Sequence, residues 1–110
     1  MQVVHIEAGK LPWSEPGGEW SGQFAAWSWK SLREDREGVS ISLWKLAPDG
    51  SDDMHAHDDG EEHIYVLRGE FECGGVTYKA GDYLFRPAGV PHQTSSRTGV
   101  EVLLVFVKKT

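Results

Sequence analysis

The chain has 110 residues, enough for one domain with its own core, and 39% of it is apolar. A net charge of −6 without any basic cluster argues against nucleic acid or an anionic membrane as partner. Cys73 is the only cysteine, so an internal disulfide and a thiolate zinc cluster are both excluded, which fits a reducing, cytoplasmic setting.

The N-terminus, MQVVHIEAGKLPW, has neither a charged n-region nor a continuous apolar h-region, and no apolar run is long enough to span a bilayer. Met1–Ile6 reads as a short strand and Gly9–Gly22, broken by prolines and glycines, as loop. Phe24–Lys30 alternates and puts Trp27 and Trp29 on one face, before the charged turn Arg33–Gly38. Val39–Leu46 is the first strong strand, with Val39, Ile41 and Leu43 on one face and Ser40, Ser42, Trp44 and Leu46 on the other. Pro48-Asp49-Gly50 ends it.

Further along, Met54–His57 and Glu62–Arg68 read as a hairpin across Asp58-Asp59-Gly60, where an Asp-Gly pair can supply positive φ. Phe71–Cys73 and Val76–Lys79 flank Gly74-Gly75, a two-residue hairpin signal. Tyr83–Arg86 and His92–Ser96 follow, separated by Pro87-Ala88-Gly89-Val90-Pro91. Val100–Val107 is almost wholly apolar and must be covered on both faces. No segment holds a helical period with caps, so the domain reads as all-β, with about eight short antiparallel strands in a sandwich or barrel.

His55-Ala56-His57, Glu62 and His92 stand at the spacing of a metal site. Alternate residues of a strand share a face, so His55 and His57 can reach one centre. Glu62, Ile64 and Val66 share a face, whereas His63 and Tyr65 point the other way and Glu61 lies opposite unless a bulge intervenes. Imidazoles with one carboxylate suit zinc, iron, manganese, nickel or copper better than calcium or magnesium. A lone His-x-His could equally be two surface histidines; His92, placed by a proline-bounded turn, strengthens the metal reading.

Two stretches resemble the paired motifs of the cupin superfamily. Gly50, His55, His57, Glu62 and Gly69 match the first motif, with four residues instead of about five between Gly50 and His55. Gly81, Pro87, Gly89 and His92 match the second without a gap, and Ser96 stands where the family carries asparagine. The resemblance covers residues 39–107, with a short loop between the motifs. The Gly-Glu-Glu run at 60–62 is also similar to the cupin-like domain of zinc-binding anti-sigma factors and related small dioxygenases.

The resemblance implies a single cupin domain over residues 1–110, a jelly-roll β-barrel of two antiparallel sheets. Residues 39–107 are its barrel and residues 1–38 its N-terminal strands and loop. It implies one divalent transition metal held by His55, His57, Glu62 and His92, and a small-molecule substrate. Four such ligands in an octahedral field leave two positions open, whereas tetrahedral zinc on the same four is closed and structural.

Trp44, Ile64, Thr94, Ser96 and Phe106 are the candidates to line a substrate pocket; core packing or ordinary strand positions are the alternatives. Arg86 reads as a surface arginine, and Cys73 as remote from the metal. Trp13, Trp20, Trp27 and Trp29 form an apolar face for a homodimer or cap the barrel within one chain. The expected function is a metal-dependent oxidoreductase of dioxygenase type, with isomerase or decarboxylase chemistry next. The competing class is a non-catalytic, metal-stabilised module that binds or senses a small ligand.

Overall fold

In the computed structural model, residues 2–16 and 24–109 are described. Among them eight strands follow a single 3-10 turn, Ala8–Lys10: β1 (Trp27–Glu34), β2 (Val39–Leu46), β3 (Gly50–Ser51), β4 (Gly60–Cys73), β5 (Val76–Lys79), β6 (Tyr83–Arg86), β7 (Thr94–Ser96) and β8 (Val100–Lys108). All pairings between these strands are antiparallel. One sheet runs β1-β2-β8-β4 with β6 on the far side of β4; the other joins the C-terminal part of β4 to β5 and, through β7, to β3. Among the described residues no helix is long and apolar enough to cross a membrane.

β4 belongs to both sheets because it bends. Its register against β8 shifts between Val66 and Arg68, and Gly69 follows at φ 74, where a Cβ would collide with the Gly99 carbonyl. A bulge followed by glycine increases local twist and lets one strand turn a corner, curling the sheet into the jelly-roll. The segments Glu62–Arg68 and Phe71–Cys73 are therefore one strand rather than two.

Turn chemistry sets the other corners. Asp35 accepts the N–H of Glu37 and Val39 at 2.9 and 3.1 Å, and Gly38 takes φ 83, closing the β1–β2 connection. Gly74 and Gly75 sit at φ 60 and 79, the positive-φ pair of a type I′ hairpin. β2, β5 and β6 keep the bounds read from sequence, and β8 extends to Lys108.

Other expectations need correction. Residues 2–6 carry no strand; residues 24–26 form a turn before β1; and only Thr94–Ser96 of the stretch from His92 is strand. The larger error is the expected hairpin between Met54–His57 and Glu62–Arg68. His55 forms a bridge with His92, while β4 pairs with β6 and β8. Gly60 is not at positive φ. Its need is room, since a Cβ there would run into the Phe106 ring.

Leu46, Ile64, Val66, Phe71, Val100 and Val102 form the buried core. Register places Leu46 beside Val100 and Val66 beside Val102, so the core closes one end of the barrel. Along β8 the inward residues continue through Leu104 to Phe106, which lies between Ser40 and Glu62 at the other end. Those last positions hold small or polar neighbours and leave a chamber.

Candidate metal centre and its chamber

The three histidines meet because residues 52–57 run against residues 89–94. The His55 N–H donates to the His92 carbonyl at 2.9 Å and the His92 N–H returns a bond to His55 at 2.8 Å. Asp52 N–H to Thr94 O at 3.0 Å and Gly89 N–H to His57 O at 2.9 Å hold the two ends. Directly opposed residues of an antiparallel pair project from one face, and His57 joins them by alternation. Ring centroids lie 4.1 Å apart for His55–His92, 5.0 Å for His55–His57 and 5.4 Å for His57–His92. One ligating atom from each of these residues falls within 4.8 Å of the others.

Backbone carbonyls fix two of the rings. His55 Nδ1–H donates to the Asp53 carbonyl at 2.7 Å, and His92 Nδ1–H to the Val90 carbonyl at 3.0 Å. A carbonyl only accepts, so the proton sits on Nδ1 and Nε2 presents its lone pair. Burial lowers the His92 pKa to about 4, against the pull of its bond to Val90, and the nearby Arg86 adds to the depression. His92 is therefore a neutral imidazole at neutral pH, the form that binds a metal. The donor set and its orientation fit a divalent transition metal.

Glu62 faces inward from β4 but lies outside the three-histidine set. Its Oε1 accepts from Arg86 Nη1 at 2.8 Å and stands 3.8 Å from His92 Nε2. Arg86 is not a surface residue: it is 8% exposed, directly across the β4–β6 ladder from Glu62. Its Nη2 approaches Cys73 Sγ at 3.6 Å, so Cys73 is also nearer the centre than its place in the sequence suggested. The bend in β4 brings it back. His63 points to the outer face, where its Nδ1 shares a 2.6 Å hydrogen bond with the Tyr83 hydroxyl.

A chamber of about 610 Å³ adjoins the histidines, and Trp44, Ile64, Thr94 and Phe106 line it. Ser96 does not; its hydroxyl donates to the Glu70 carbonyl and it is buried behind the wall. Trp27 and Trp29 line this chamber. Trp44 packs edge-on to Trp27 at 5.9 Å and stacks on Trp29 at 5.1 Å. The ammonium groups of Lys30 and Lys45 both lie over the Trp13 ring, at 4.5 and 4.4 Å from its centroid, and Trp20 is outside the described residues.

Asp52 is a further site residue that sequence reasoning passed over. It is buried and accepts Trp27 Nε1–H and Thr94 N–H, each at 2.8 Å. Burial pushes its carboxyl pKa up, and the two hydrogen bonds restrain the rise. Only its place beside the first motif could have marked it, because Asp52-Asp53 otherwise looks like an acidic loop.

Over residues 1–110 the chain matches the family described as the ChrR cupin-like domain. No curated protein sequence matches it. Among solved structures, a predicted oxalate decarboxylase from Thermotoga maritima is similar at 28% identity and a TM-score of 0.66, over 76% of this chain and 81% of that one. An RmlC-like cupin from Shewanella frigidimarina shares 20% identity at a TM-score of 0.77, over 99% and 93% of the two chains. The polyketide cyclase RemF from Streptomyces resistomycificus shares 18% at a TM-score of 0.79, over 99% and 83%. The last two likenesses are of fold.

Proposed function

The chain belongs to the ChrR cupin-like domain family of the cupin superfamily, and from that premise we propose that it is a metal-dependent enzyme acting on a small organic molecule. The observation that carries this reading is the convergence of three imidazoles at the edge of a chamber of about 610 Å³. His55, His57 and His92 hold the ion, and Glu62 is the fourth ligand when Arg86 releases it. Zinc, iron, manganese, nickel and copper all suit these donors. A bound ion supplies Lewis acidity or, for the redox metals, electron exchange with oxygen.

The chain's own residues do the rest. The carbonyls of Asp53 and Val90 hold two rings in the ligating tautomer. The aromatic walls exclude water from the substrate, which strengthens every charge interaction inside. Dioxygenase-type cleavage is the reaction class we favour, because three or four protein ligands leave adjacent positions open. Isomerisation or decarboxylation comes next. The reading includes a cytoplasmic setting and a second copy of the chain as partner.

A second reading, a non-catalytic module that binds or senses a small ligand, draws on a specific observation. The two carboxylates beside the histidines are already engaged, Glu62 by Arg86 and Asp52 by Trp27 and Thr94, so neither is a free general base. Metal analysis of protein purified without added metal tests both readings. We expect about one equivalent of a transition metal, lost in His92→Ala and kept in His63→Ala. Substrate-dependent oxygen uptake by iron- or manganese-loaded protein supports the enzyme; stoichiometric zinc with ligand binding and no turnover supports the module. Protein that takes up no metal overturns both.

A further inference from the structure

We propose that the chamber selects a flat aromatic compound carrying an oxygen-donor head, and rejects sugars and other polyols. This rests on the metal reading for the head and on the chamber walls alone for the body.

Strand register sets the walls. On β2 the inward residues run Ser40, Ser42, Trp44; across from them on β8 lie Phe106, Leu104 and Val102. Phe106 marks the metal end, since its ring stands 6.2 Å from His57 and its register partner on β4 is Glu62. Trp44 lies four positions further along β2, roughly 13 Å at the ordinary rise per residue. That length suits one or two fused rings plus a head group. Serines at 40 and 42 provide the space; a large residue at either would fill it.

Ring geometry argues for an aromatic body. Trp29 and Trp44 stack at 26° and Trp27 meets Trp44 at 80°, so faces and edges are both on offer to a third ring. Aromatic pairs in such offset or edge arrangements gain more than the area they bury, a gain that a saturated ring of the same size lacks. The indole N–H groups of Trp27 and Trp44 are committed, to Asp52 and to Ser42 at 2.8 Å each. Those two indoles therefore present carbon, beside Val102, Leu104 and Phe106, and the polar groups among them are the side chains of Glu15, Ser40, Ser42 and Thr94. A polyol carries more hydroxyls than those few groups can pair, and each one left against indole or aliphatic carbon loses its water partners without replacement.

The test compares three monoanions of similar size, 2-naphthoate, decahydro-2-naphthoate and glucuronate, by calorimetry on zinc-loaded and metal-free protein. We expect 2-naphthoate to bind at least tenfold tighter than the saturated acid and about a hundredfold tighter than glucuronate on the zinc-loaded protein. In metal-free protein all three weaken while the order persists. Equal binding of flat and saturated acids, or tighter binding of glucuronate, overturns the proposal. Zinc uptake is measured separately, so a failed metal site leaves the metal-free comparison to decide the body. Trp44→Leu should lower 2-naphthoate affinity about tenfold at unchanged zinc content. Should that variant not fold, Ser40→Leu, which fills the chamber, must abolish binding; unchanged affinity in Ser40→Leu places the ligand elsewhere and overturns the proposal.

Discussion

A buried carboxylate needs a cation or several donors beside it, and Glu62 has Arg86 at 2.8 Å and His92 at 3.8 Å. Removing one partner of such a pair costs about 3–5 kcal/mol, because the charge left behind has no compensation. Arg86→Met should therefore destabilise the metal-free protein by about that much in urea unfolding. With zinc present the loss should shrink, since the carboxylate then has a new cation within reach; an equal loss in both states means that Glu62 takes no part in holding the ion. His92 makes a pH prediction. Its folded pKa of about 4 lies below the ordinary 6.5, so between these values the unfolded chain binds a proton that the native one refuses. Stability of the metal-free protein is full above pH 6.5 and falls as pH drops towards 4. Asp52, whose pKa is raised above 3.8, works in the opposite direction at the acid end. Urea midpoints at neutral and mildly acid pH check this, and His92→Asn should flatten the fall. The histidines were readable because alternation alone puts His55 and His57 on one side. Arg86 was not, because a lone arginine before proline looks like a surface residue until its ladder partner is known.

At the scale of elements, the strands legible in the sequence were those whose patterning and turns agree. β2 alternates cleanly between Asp35–Gly38 and Pro48-Asp49, and the Gly74-Gly75 pair fixes β5 against β4. The segment 52–57 misled because an Asp-Gly step followed by apolar alternation is also the signature of a hairpin. Its N–H and carbonyl groups are instead satisfied by residues 89–94, across a long stretch of sequence. Local chemistry does not encode that choice; the bend of β4 does, by turning its far half toward β7. The same bend brings Cys73 to Arg86, which explains why distance along the hairpin was a poor guide to distance from the metal. Gly60 is a second case in which residue type was legible and reason was not: the position needs a missing Cβ for Phe106, not a left-handed backbone.

For the whole molecule, the outer face of the larger sheet carries apolar rows of its own. β8 is apolar on both faces, and the chamber uses only Val102, Leu104 and Phe106. On the other side Val105 lies between Ile41 and His63, and Leu103 between Leu43 and Tyr65. Tyr83 and Phe85 continue the same rows on β6 and are 58% and 43% exposed. We propose this surface as the seat of a second copy, because a sheet face offers the same rows to its own symmetry mate. A stable pair needs about 800 Å² from each partner, which a five-strand face can supply. Sedimentation at micromolar concentration should therefore show a species of twice the 12.3 kDa chain mass. Leu103→Glu places a charge at the middle of the face and should shift that species to single-chain mass with zinc content unchanged. A wild-type chain that sediments alone overturns the dimer, and a variant that stays paired moves the interface to another face.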